Sequence, residues 1–134
     1  MLMPKKQKHR KHHKIKKIGK AGRSVDVNFG SFGLKALEPC WLSSRQIESA
    51  RKVIAKYTKK GGKLWIRVFP DHAITKKGGE IPMGKGKGDV DHYVAIVKAG
   101  SIIFETEGIS GEAAKEAMTL AAYKLPTKCK VVER

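Results

Sequence analysis

No acidic residue precedes Asp26, whereas ten lysines and arginines fall within the first 23 positions. Lys5, Lys6, Lys8, Arg10, Lys11, Lys14, Lys16, Lys17, Lys20 and Arg23 are interleaved with His9, His12 and His13. Such a run cannot collapse onto itself, because every close approach is like-charge repulsion and little apolar surface offsets it. Only Leu2, Met3, Ile15 and Ile18 offer apolar grip. A packed helix is therefore not expected here without a partner, and disorder in the free protein that resolves on a polyanion is. A solvated tail kept for solubility is the plainer alternative; a nucleic-acid-binding arm over residues 1–23 fits the charge better.

The remaining sequence supports that choice. Twenty-nine Lys and Arg against 12 Asp and Glu give a net charge of +17 and a pI near 10.1. Each phosphate that such a surface neutralises releases condensed counterions, so basicity at this level is the electrostatic footprint of a nucleic-acid binder. No segment has the roughly 20 apolar residues needed to span a bilayer. The amino end lacks the apolar stretch of a secretory signal and the Arg/Ser-rich amphipathic stripe of a mitochondrial presequence. Cys40 and Cys129 lie far apart without the paired spacing of a zinc site, which suggests reduced thiols in a cytosolic protein. His9, His12 and His13 fit hydrogen bonding to phosphate or base better than metal binding.

Residues 24–134 are enough for one domain. Val25, Val27 and Phe29 alternate with polar neighbours, as in a half-buried strand. Gly30 and Gly33 punctuate a turn before an extended run over 34–37, which Pro39 interrupts. Ser43 stands three before Gln46, a capping box, and a helix is expected from there to about Lys60. Its apolar stripe is Ile47, Ala50, Ile54 and Tyr57, while Arg45, Arg51, Lys52 and Lys56 leave the rest positive. A strand follows over 63–69, with Leu64, Ile66 and Val68 on one face and Trp65, Arg67 and Phe69 on the other. That second face could stack on nucleic acid; packing beneath a second layer is the preferred reading. Residues 70–91 read as a long irregular loop. Strands over 90–97 and 102–106 are expected to form a hairpin about Lys98–Ser101. A second helix starts at Ser110 and stops at Pro126, and a short strand over 128–132 closes the chain. The expected fold is α+β, a compact sandwich of two helices against a mixed β-sheet, with a basic N-terminal arm and a long glycine/lysine loop.

Loops longer than about 15 residues are uncommon in small domains and usually functional. This one holds Met83, Gly84, Lys85, Gly86, Lys87 and Gly88. Glycine removes the Cβ barrier to close approach and lysine supplies charge, a pairing suited to phosphates. It is not a nucleotide-triphosphate loop, because Gly86 stands where Ser or Thr would hold magnesium and a strand is expected to follow. No catalytic set emerges: His72 and His92 come without a nucleophile, and Asp89 and Asp91 sit among lysines at a strand entry.

Five segments match one family in order and spacing. They are Met1-Leu2 with Pro4-Lys5 and the basic tail, Phe29 to Ala36, Ser44 to Glu48, Gly62 to Asp71, and Met83 to Gly88. Across nearly its whole length the chain resembles bacterial and organellar large-subunit ribosomal protein sixteen, the uL-sixteen family. The resemblance implies a structural constituent of the large ribosomal subunit, cytoplasmic, with no enzymatic activity, cofactor, metal or small-molecule substrate. It implies large-subunit rRNA, tRNA and other ribosomal proteins as partners, near the aminoacyl-tRNA site. By this matching the tail lysines are rRNA contacts, and with the positive surface of the first helix the rRNA-binding candidates are Lys5, Lys6, Lys8, Arg10, Lys11, Lys14, Lys16, Lys17, Arg23, Arg45, Arg51 and Lys52. Met83, Gly84, Lys85, Gly86, Lys87 and Gly88 form the tRNA-proximal loop. Pro82 departs from the arginine, hydroxylated in some bacteria, that many members carry there, so that residue's contacts do not transfer. Ala73-Ile74 and Gly78 to Glu80 replace an expected proline-rich run. The competing readings are a free nucleic-acid-compacting protein and a small metal-dependent nuclease.

Overall fold

A computed structural model describes residues 2–13, 19–58, 61–77, 84 and 86–134. In chain order the elements are β1 (Phe32–Ala36), β2 (Cys40–Ser43), α1 (Ser44–Tyr57), β3 (Lys63–Ile66), β4 (His72–Lys76), β5 (Asp89–Val97), β6 (Ile102–Glu107), α2 (Gly111–Ala122) and β7 (Cys129–Glu133). Two sheets form, ordered β3-β6-β1-β7 and β2-β5-β4.

The helices follow from local signals. The Ser43 hydroxyl accepts from the Gln46 N–H at 3.2 Å, and the Gln46 side chain accepts the Ser43 N–H at 3.0 Å, closing the capping box. Two of the helix's unpaired donors are thereby satisfied. Ile47, Ala50 and Ile54 are fully buried, and Arg45, Lys52 and Lys56 face solvent. Ser110 caps α2 through the Ala113 N–H, and Glu112 places negative charge in its first turn, where the helix dipole favours it. Ala114, Ala117, Met118 and Ala121 form the buried stripe of α2. Met118 and Ala121 join Leu34, Phe104, Ile103, Leu42 and Val97 in one core. Burying each large aliphatic side chain of this set contributes about 1.5–3 kcal/mol, and Leu34→Ala would cost about 2–5 kcal/mol.

The α+β class and both helices are as expected. The sheet differs: every ladder between named strands is antiparallel, and parallel pairing is confined to an isolated Lys20–Ala99 bridge. The expected hairpin over 90–106 does not form, since β5 lies between β2 and β4 while β6 lies between β3 and β1. The turn joining them bonds to β1 instead, Gly100 N–H donating to the Ala36 carbonyl at 2.7 Å and Ala36 N–H to Ser101 at 2.9 Å. Residues 72–76, expected to be irregular, pair with β5, and residues 78–83 and 85 of the expected loop lie outside the described residues. α1 ends at Tyr57 with Thr58 as cap, and Lys59 and Lys60 lie outside the described residues. β3 ends at Ile66, although the Arg67 N–H still donates to the Ile103 carbonyl at 2.9 Å.

Residues 24–31 are not a strand but a strap across β6. Its ends bond to the backbone of β6, the Ser24 carbonyl accepting from the Ile102 N–H (2.7 Å) and the Ser31 N–H donating to the Thr106 carbonyl (2.9 Å), while between them Glu105 Oε1 accepts from the N–H groups of Phe29 (2.8 Å) and Gly30 (3.0 Å). Gly30 rests so close to β6 that a Cβ would lie 2.4 Å from the Thr106 carbonyl oxygen. Val27 is buried beneath the strap.

Candidate nucleic-acid interface

Cationic side chains are presented on three neighbouring parts of this scaffold. In the arm, Lys5, Lys6, Lys8, Arg10 and Lys11 are exposed; Lys14, Lys16 and Lys17 lie outside the described residues. Arg23 is exposed at the start of the strap. On α1, Arg45 and Lys52 are exposed, whereas Arg51 is half-buried and its guanidinium grips Glu48 at 2.5 and 3.0 Å. The hydrogen bond from Arg51 holds the Glu48 carboxyl below its ordinary pKa. Arg51 is thus the one described candidate already engaged by a carboxylate. Sequence spacing contained that signal, since residues three apart on a helix are neighbours.

The arm and α1 converge. Arg10 and Arg45 line one groove with Leu2, Ser44 and the start of β5. Arg45 also stands at the amino end of α1, where the helix dipole is positive. Within that groove Asp91 bonds His92 at 2.7 Å, and this bond foremost lowers the Asp91 pKa.

The arm also meets the glycine/lysine hairpin. Gln7 Nε2 donates to the Asp71 carbonyl at 2.8 Å, and the Ala73 N–H donates to His12 Nδ1 at 3.1 Å. The His12 and His72 rings stack with centroids 5.0 Å apart. Lys11 Nζ donates to the Lys87 carbonyl at 3.2 Å, and Lys87 Nζ reaches the His12 carbonyl. Burial, then the neighbouring His12, lowers the His72 pKa. Of the loop, Met83 and Lys85 lie outside the described residues; Gly84, Gly86 and Lys87 are exposed. Gly88 is packed, since a Cβ there would lie 2.7 Å from the Lys76 carbonyl oxygen. Contacts between arm and hairpin were invisible in sequence because they join residues more than 60 positions apart.

Among the described residues no group of three or more His, Cys, Asp or Glu could hold a metal, and no helix is long and apolar enough to cross a membrane. Cys129 is a thiol whose pKa burial pushes up to about 11.

Exposed cations on arm, helix and hairpin, carried by an antiparallel α+β scaffold, define a structural RNA-binding protein. The chain belongs to the family of ribosomal protein L16p/L10e, whose pattern matches residues 4–132. It is 54% identical over 132 residues to large ribosomal subunit protein uL16c of Phaeodactylum tricornutum (strain CCAP 1055/1), a match covering 98% of this chain and 96% of the relative. The chain is accordingly a structural constituent of the large ribosomal subunit and not an enzyme, with rRNA and other ribosomal proteins as partners.

Proposed function

We propose that this chain binds large-subunit rRNA near the aminoacyl-tRNA site and helps position tRNA during translation. The arm over residues 1–23 and the domain over 24–134 divide the work. Lys5, Lys6, Lys8, Arg10, Lys11, Lys14, Lys16, Lys17, Arg23, Arg45 and Lys52 contact rRNA phosphates, with Arg51 contributing after release from Glu48. Met83 to Gly88 face the tRNA.

The observation that carries this reading is the joining of Lys11 to Lys87, which ties the basic arm to the root of the hairpin tip. A surface so arranged can grip rRNA with the arm while holding the tip toward a second RNA. We assign the particle to the cytoplasm, a reducing compartment in which the Cys129 thiol would persist.

Large subunits lacking the chain, reconstituted with the wild type or with Lys85→Ala/Lys87→Ala, test the division. Both should enter the particle, and the variant should bind aminoacyl-tRNA several-fold more weakly. Equal tRNA binding would remove tRNA positioning from the reading. Failure of an arm variant carrying Lys5, Lys6, Lys8, Arg10 and Lys11→Ala to lose rRNA affinity would remove the arm. Fractionation that placed the chain in an organelle would overturn the compartment.

A further inference from the structure

The strap leaves an aromatic pair at the edge of the four-stranded sheet. Phe29 is 53% exposed, although an apolar ring of its size is ordinarily buried. It stacks on Trp65 with centroids 6.1 Å apart and planes inclined by 25°, and the Arg67 guanidinium carbon lies 5.0 Å from the Phe29 ring centre. The position is fixed from beneath: the Phe29 N–H donates to Glu105, and Arg67 is held by that same carboxylate and by the Asp26 carbonyl at 3.0 Å. An exposed ring on an anchored backbone loses little entropy on binding a flat partner.

Charge around the pair favours an anionic partner. Lys63 precedes Trp65 by two positions on the edge strand and is exposed; Glu107 opposite it offsets part of that charge. Arg134 is tied to the strap through its N–H to the Ser31 carbonyl at 2.9 Å. Bases offer π-faces to an aromatic ring, and stacking of this kind is worth about tenfold or more in affinity per base.

We propose that Phe29 and Trp65, with Arg67 beside Phe29, form a stacking platform for one unpaired rRNA base. This deepens the rRNA-binding reading above and rests on it. The platform is chemically separate from the lysine arm: it reads the presence of an unstacked base, whereas the arm reads phosphate charge.

Binding of full-length protein to octa-adenylate and to a 12-base-pair RNA duplex tests this, with Trp65 fluorescence read in a Trp41→Phe background. Phe29→Ala should weaken octa-adenylate binding about tenfold and abolish the fluorescence quench. It should change duplex binding less than twofold and leave the salt slope intact, because no phosphate contact is lost. Phe29→Tyr should restore binding. A loss below twofold on octa-adenylate, an equal loss on the duplex, or no rescue by tyrosine would overturn the platform. If wild-type protein bound neither RNA, the rRNA-binding reading itself would fail, an outcome distinct from an unaffected Phe29→Ala variant.

Discussion

Arg67 Nη1 and Glu105 Oε2 meet at 2.6 Å across 38 positions of sequence, with the Glu105 side chain wholly buried. The pair closes a four-way junction. Glu105 takes the N–H groups of Phe29 and Gly30, and Arg67 adds the Asp26 carbonyl and the Ser24 hydroxyl. A buried carboxylate is costly unless its charge is paired and its lone pairs are occupied, and here both conditions hold. The junction therefore fixes the strap, the strap fixes Phe29, and the edge of the sheet gains a rigid aromatic surface.

Arg67→Met should destabilise the fold by about 3 kcal/mol, because it strands a buried carboxylate. A domain of this size should then melt roughly 10 °C lower. Thermal unfolding by circular dichroism checks it, and a shift under 2 °C would show that the backbone donors alone satisfy Glu105.

Acid should act through the same carboxylate. Burial alone would raise the Glu105 pKa, but the Gly30 and Phe29 N–H donors and Arg67 outweigh it and hold the value below the ordinary 4.5. A carboxyl depressed in the folded state contributes stability that is complete above its unfolded value and lost as pH falls through the folded value. Stability should accordingly decline from about pH 4.5 downward. Glu105→Gln should flatten part of that decline in denaturant titrations at stepped pH. Glu48 and Asp91, also depressed, would supply the remainder.

What the sequence made legible was local. The Ser43–Gln46 box and the Ser110 cap are signals contained within four residues, and both helices start where those residues place them. Val25, Val27 and Phe29 do alternate, yet alternation cannot say whether the backbone donors go to a strand or to Glu105. β5 and β6 were readable as strands but not as members of different sheets, because bonds from the Lys98–Ser101 turn to Ala36 depend on distant geometry. β4 offered only Ala73 and Ile74 as apolar markers, too few to separate it from a loop. Cationic candidates were legible as charge, and the Glu48–Arg51 pairing was contained in their three-residue spacing; that Phe29 stays exposed required the structure.

Salt titration should separate Arg51 from Lys52. If arm and helix together neutralise about six to ten phosphates, RNA affinity should fall about 10³- to 10⁵-fold between 50 and 200 mM salt. Replacing Lys5, Lys6, Lys8, Arg10 and Lys11 with alanine should flatten that slope. Lys52→Ala should lower its magnitude by about one unit, as expected for one phosphate. Arg51→Ala should change it less, because binding phosphate requires Arg51 to leave Glu48. Equal slopes for the two single variants would show the Glu48 pair to be irrelevant on RNA.

The hairpin tip should divide at Gly88. Gly84, Gly86 and Lys87 are exposed, whereas Gly88 presses on the backbone of Lys76. Replacing residues 83–86 with a Gly-Ser linker should leave the melting temperature within about 2 °C, as for an exposed loop tip. Gly88→Val should lower it by several degrees, because β4 and β5 cannot close with a side chain 2.7 Å from the Lys76 oxygen. In purified ribosomes the linker variant should assemble and yet bind aminoacyl-tRNA poorly. Thermal unfolding of the free variants and tRNA binding by the particles decide the matter together. Normal tRNA affinity in the linker variant would reduce the tip to a connector, and an unaffected Gly88→Val would show that the hairpin root tolerates separation.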